Sequence, residues 1–147
     1  MVPDLDYIGY RFGIQYGDFL GHRGFTHSIV FAAALAWLVV AVFFRSPATQ
    51  GISQRRLFVC FFLVTISHAV LDGLTNGGLG VAFFSPLSNE RFFFPFRPLQ
   101  VSPIGIARFF SPRAFQILSN EAMWVGIPSL LLLAASVGYR RLRNQPV

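Results

Sequence analysis

A chain of 147 residues that is 54% apolar and only 12% charged, with eighteen phenylalanines, is too poor in polar groups for an ordinary soluble enzyme and too aromatic for a disordered one. Its net charge of +6 comes from arginine alone, since the chain has no lysine. Those arginines are spread along an apolar chain, which reads as membrane flanking rather than as a nucleic-acid surface, so no nucleic-acid partner is expected. The lone Cys60 excludes an intrachain disulfide scaffold and reads as a packed apolar residue. What is left is a small integral membrane protein, expected to form a single domain over 1–147.

The chain opens with Pro3-Asp4-Leu5-Asp6. Read as an extended segment, it turns residues two apart the same way, so both carboxylates can meet one site. Next comes Gly21-His22-Arg23-Gly24-Phe25-Thr26-His27-Ser28. Thr26, just ahead of an apolar run, is predicted to cap the first helix, with His27 beginning it. His22 then lies in the preceding loop, which Gly24 allows to turn back toward His27.

Three apolar segments follow: Ile29–Phe44, closed by Arg45; Leu57–Leu71, opened by Arg55 and Arg56; and Ala122–Val137, closed by Arg140, Arg141 and Arg143. Each is slightly short of the about 20 residues a spanning helix needs, and flanking Tyr, Trp and Arg in the interface make up the difference. Pro128 within the third is tolerable in a helix bundle. The long Gly- and Phe-rich loop 73–121 is expected to lie on the bilayer surface, with Ile104–Leu118 as a short interfacial helix. The fold expected is all-α, an integral membrane bundle of about three spanning helices with a long surface loop.

Six arginines fall in the short stretches 45–56 and 139–147, and the other six are scattered over 1–28 and 73–121. The positive-inside rule therefore puts the 45–56 loop and the C-terminus in the cytoplasm. The remainder faces outward, to the periplasmic side of an inner membrane.

All three histidines and all four aspartates lie toward that outward end. His68 and Asp72 are spaced i, i+4 on the second span, so they share a helix face. An ionisable pair inside a membrane helix is costly and marks function by default. With His22, His27, Asp4 and Asp6 the set offers imidazole and carboxylate donors without thiolate, suited to one or two divalent ions, with Zn, Mn, Fe, Ni and Mg undistinguished. Arg23, Arg91 and Arg97 are candidates for a negative substrate group, although Arg91 also reads as a surface partner of Glu90. Ser28 and Ser67 adjoin histidines in sequence, which alone makes no nucleophile and base.

The blocks Pro3-Asp4-Leu5-Asp6, His22-Arg23-Gly24-Phe25-Thr26-His27-Ser28, His68-Ala69-Val70-Leu71-Asp72 and Ser102-Pro103-Ile104-Gly105 resemble the bacterial family of membrane-bound metal-dependent hydrolases, the YdjM/YbcI-like proteins. The resemblance implies a multi-span inner-membrane protein with a metal-dependent hydrolytic site. It also implies an apolar helix ahead of the Pro3–Asp6 block, which this chain does not show.

The reading is thus a hydrolase whose catalytic residues are His22, His27, His68 and Asp72, with Asp4 and Asp6 as further metal ligands. The metal activates water against a lipid or lipid-linked substrate, a phosphoester being one class that fits. Membrane lipid is the expected partner. The competing readings are a metal or ion transporter and a non-catalytic scaffold with a structural metal.

Overall fold

The structure, a computed structural model, describes residues 2–45, 51–101 and 113–143. These fall into two compact units, Met1–Arg97 and Pro98–Val147. The regular elements of the described residues are helices, and an isolated antiparallel bridge joins Val81 and Phe92.

The first unit begins with a 3-10 helix over Pro3–Phe12. Proline suits a first helical position, where its missing N–H is not needed. Gly13, at φ 81°, ends the segment in the left-handed conformation that favours glycine. A 3-10 turn, Phe25–His27, leads into α1 (Ile29–Phe43), and α2 (Gln54–Gly73) returns. The helix cap is Ser28, not Thr26: its Oγ accepts from the amide of Phe31 at 3.0 Å. His27 consequently stands just before the helix rather than within it.

The rings of His27 and His68 lie 5.1 Å apart at one end of the pair, and those of Phe44 and Phe61 lie 5.7 Å apart toward the other. α1 and α2 are therefore an antiparallel hairpin. Their buried positions, Ala32, Ala36 and Val40 on α1 and Ala69 and Gly73 on α2, recur every four residues and are mostly small. Small side chains let helix backbones approach where lipid supplies no hydrophobic drive. Trp37, Leu63 and Val64 are exposed apolar residues of the shafts, and Cys60 is likewise exposed rather than packed. Segment 74–97 folds over the end of α2, where a Cβ at Gly73 would press on the rings of Phe94 (3.0 Å) and Phe83 (3.3 Å).

In the second unit, α3 (Ala114–Glu121), a π-turn (Ala122–Gly126) and α4 (Ile127–Arg143) form one continuous helix of 30 residues. The π-turn lies directly ahead of Pro128 and takes up the register that the missing amide would break. Asn120 donates to the carbonyl of Pro98 at 3.0 Å and accepts from the amide of Gln100 at 2.9 Å, tying 98–100 to α3.

Two helices, α2 and the 114–143 helix, are long and apolar enough to cross a membrane. α1, with 15 residues, is about 22 Å long and falls short of that test. The third apolar segment starts as a helix at Ala114 rather than Ala122 because α3 joins it without a break. Of the expected interfacial helix Ile104–Leu118, residues 104–112 lie outside the described residues, and 114–118 belong to the long helix.

Candidate metal centre

The hairpin brings the start of α1 and the end of α2 together, and the N-terminal 3-10 helix lies against them. Three residues per turn send Asp4 and Asp6 in different directions, so they do not point the same way as an extended segment would require. Asp4 turns to the Nε2 side of His27, and Asp6 to its Nδ1 side.

Asp4, His27, His68 and Asp72 each offer one donor atom, and all four atoms lie within 4.8 Å of one another, with His68 Nε2 hydrogen-bonded to Asp4 Oδ1. The four nitrogen–oxygen edges are 3.1 Å (His68 Nε2 to Asp4 Oδ1), 3.2 Å (His27 Nε2 to Asp72 Oδ2), 3.5 Å (His27 Nε2 to Asp4 Oδ1) and 3.6 Å (His68 Nε2 to Asp72 Oδ2). Donors about 2.0–2.1 Å from a tetrahedral ion stand about 3.3 Å from each other. His27 Nε2 and Asp72 Oδ2 are buried and neither makes a hydrogen bond, although only 3.2 Å separates them. Two buried polar atoms this close without a hydrogen bond fit a metal between them.

A second layer fixes His27 from behind. Asp6 Oδ2 lies 3.2 Å from His27 Nδ1 and accepts from the Thr26 hydroxyl at 2.7 Å and the Arg23 amide at 3.3 Å. Its other oxygen accepts from His22 Nδ1 at 2.8 Å. A carboxylate on the far nitrogen sets the tautomer and ring orientation of a ligating histidine.

Burial works against protonating His27, yet the carboxylates of Asp4, Asp6 and Asp72 prevail and push its pKa up to about 10. Burial likewise opposes ionising Asp4 and Asp6. The histidines and Thr26 outweigh it and hold both carboxyls well below the usual range. A divalent ion would take the place of the His27 proton.

The structure brings His22 beside His27, with ring centroids 5.5 Å apart, in a group with Asp6 rather than among the four converging donors. Arg23 is buried, and its guanidinium donates to Asp72 Oδ1 at 2.8 Å, Thr75 Oγ1 at 3.0 Å and the Gly77 carbonyl at 2.9 Å. Arg91 does not pair with Glu90. It donates to the carbonyls of His22 (2.9 Å), Tyr16 (2.8 Å) and Asp18 (3.2 Å), clamping the 16–22 loop. Arg97 is exposed, 4.8 Å from the Phe93 ring centroid. The Asp18 carboxylate accepts from the Gln15 amide in a local turn.

Three features were not read from the sequence: the hydroxyl of Thr26 on Asp6, the role of Thr75, and the positive φ of Arg23 (60°). Gly24 has no positive φ. Its need is space, since a Cβ there would strike the carbonyl oxygens of Phe19 and Gly21.

No solved structure matches this chain. It is 40% identical over 136 residues to the inner membrane protein YbcI of Escherichia coli (strain K12), across 90% of this chain and 75% of that protein. The model of the YdjM inner membrane protein family matches residues 1–145, and the chain belongs to that family of inner-membrane proteins.

Proposed function

We propose that this protein is a metal-dependent hydrolase of the inner membrane, with its reaction centre at Asp4, His27, His68 and Asp72. The observation that carries this reading is the set of nitrogen–oxygen edges from 3.1 to 3.6 Å around two buried donor atoms that make no hydrogen bond. Two imidazoles favour Zn, Fe or Ni over Mg, whose preferred ligands are all oxygen. A divalent ion held there would lower the pKa of a bound water and polarise the bond to be cleaved.

The chain's own residues do the rest. The Thr26 hydroxyl at 3.1 Å and Asp6 at 3.2 Å from His27 Nδ1 hold His27 in the tautomer that presents Nε2, and Arg23 holds one oxygen of Asp72 so that the other is left for the ion. Asp4 has 39% of its side chain exposed against 0–15% for the other three donors, so the open side lies next to it. That side is where water and substrate reach the centre. Arg97, still exposed, is the candidate to meet a negative group on the substrate.

Arg45, Arg55 and Arg56 sit at the opposite end of the hairpin from this cluster. The positive-inside rule then makes the site periplasmic and that end cytoplasmic, with the basic C-terminal end cytoplasmic as well. On this topology α1 crosses as a third span, with Phe44 and Arg45 in the interface. A centre at the mouth of a helix pair in the bilayer suits a lipid or lipid-linked phosphoester.

The test is elemental analysis of protein purified in mild detergent, wild type against His68→Ala, followed by a phosphoester-lipid hydrolysis screen. One transition metal per chain in wild type, lost with turnover in the variant, is the expected result. Protein without metal in both forms would leave the cluster as an ion-pair network centred on protonated His27 and would overturn the reading.

A further inference from the structure

Resting on the metal-centre reading above, we infer that Arg23 is the positioning residue of a centre built for one ion, not a contact for substrate. Arg23 is the one non-glycine residue with positive φ among the described residues, and only 4% of it is exposed. β-Carbon sterics disfavour that conformation, so it persists only where the surroundings over-determine it. Here they do. The amide of Arg23 donates to Asp6 Oδ2, its carbonyl accepts from the Ala82 amide at 3.0 Å, and its guanidinium reaches Asp72, Thr75 and Gly77.

These contacts close a circuit. From Arg23 the guanidinium leads to Asp72 Oδ1, and Asp72 Oδ2 faces His27 Nε2 at 3.2 Å. His27 Nδ1 faces Asp6 Oδ2, which returns to the amide of Arg23. One residue thus sets the outer oxygen of one donor carboxylate and the carboxylate behind one donor imidazole. Turning its backbone out of the left-handed region would break both links together.

The same contacts argue against a second ion. Asp6, His22 and His27 form another group of possible donors, but the Asp6 side chain is 1% exposed and both its oxygens already accept. A second ion there would also compete with the contact that orients His27. Charge agrees: three carboxylates against the single guanidinium of Arg23 leave two negative charges, which one divalent ion neutralises.

The probe is Co²⁺, bound to the full-length protein in detergent and followed by stoichiometry, affinity and visible absorption. Wild type should bind one Co²⁺ and show the visible absorption of an ion held by the four protein donors and one water. Arg23→Lys keeps the charge but not the fork, and Arg23→Gly suits the backbone but loses the side chain. Each should bind 10–100-fold more weakly with an altered spectrum, as for other residues behind a ligand. Thr75→Val, a milder change, should shift the spectrum in the same direction.

If the Arg23 variants bind as wild type with an unchanged spectrum and are only less stable, Arg23 is structural and the inference fails alone. Two Co²⁺ per chain in wild type would overturn the one-ion centre. Wild type that binds no Co²⁺ would overturn this inference together with the reading beneath it.

Discussion

The two ends of the α1–α2 hairpin use arginine in opposite ways. At one end Arg23 is buried and Arg91 half-buried, and each guanidinium donates to several fixed acceptors. At the other, Arg45, Arg55 and Arg56 are exposed. Removing a guanidinium from water is costly unless its fork is filled, so a buried arginine persists where it organises several segments at once. An exposed arginine bears no such cost and orients the helices in the membrane. The same residue type therefore serves local architecture at the polar end and topology at the other.

The largest effect expected within this contrast is at His27. His27→Ala removes the cation around which Asp4, Asp6 and Asp72 gather and leaves the buried carboxylates facing one another. The metal-free protein should lose about 3–5 kcal/mol, the usual cost of stripping one partner from a buried charged group. Unfolding in detergent measures it. A loss below about 1 kcal/mol would show that the carboxylates are not coupled through His27.

Arg91 sharpens the comparison directly. Arg91→Ala should cost about 2–3 kcal/mol through its lost charge-assisted bonds to the carbonyls of Tyr16 and His22. Arg55→Ala, exposed at the other end, should stay within about 0.5 kcal/mol. Equal losses in the two variants would erase the distinction between the two ends.

Much of this contrast could be anticipated from residue types. Arginine without lysine on an apolar chain pointed to a membrane, and the His68 to Asp72 spacing placed both on one face of α2. Asp4 and Asp6 were misread because Pro3 starts a 3-10 helix, whose period separates residues that an extended chain would align. Thr26 looked like a cap, but its hydroxyl is taken by Asp6, and Ser28 caps the helix instead. Arg91 was hidden for another reason. Its acceptors are backbone carbonyls some seventy positions away, and a carbonyl carries no signature in the sequence.

pH offers a further way to separate the two ends, because the titrating histidine lies only at one. In the metal-free protein His27 has its pKa raised from 6.5 to about 10, so protonated His27 favours the fold. That contribution is fully present below pH 6.5 and is lost as pH rises through about 10. Asp4 and Asp6 act in the opposite sense. Their lowered pKa values give stability that is present above their ordinary 3.8 and is lost as pH falls through the depressed values. Unfolding in chelator should therefore show lower stability at pH 9 than at pH 6, and metal should reverse the difference by replacing the proton. Stability that rises between pH 6 and 9 without metal would contradict the protonated state of His27.

The smallest expected effect lies between the two ends, in the shaft that joins them. Ala36 is fully buried on α1, in line with Ala32 and Val40. Ala36→Leu adds bulk where neither backbone has room, and overpacking of this kind is destabilising. The cost should be only about 1 kcal/mol, the low end of the overpacking range, because a two-helix contact can yield sideways into lipid as a closed core cannot. The more telling readout is Co²⁺ affinity. His27 belongs to the approach to α1, whereas His68 and Asp72 belong to α2, so spreading the helices stretches the edges between donors on different elements while leaving the His68–Asp72 edge intact. Affinity should fall while the variant still folds. If affinity holds as the helices separate, the loop contacts of Arg23 and Arg91, rather than the small-residue packing of α1 on α2, set the distance across the centre.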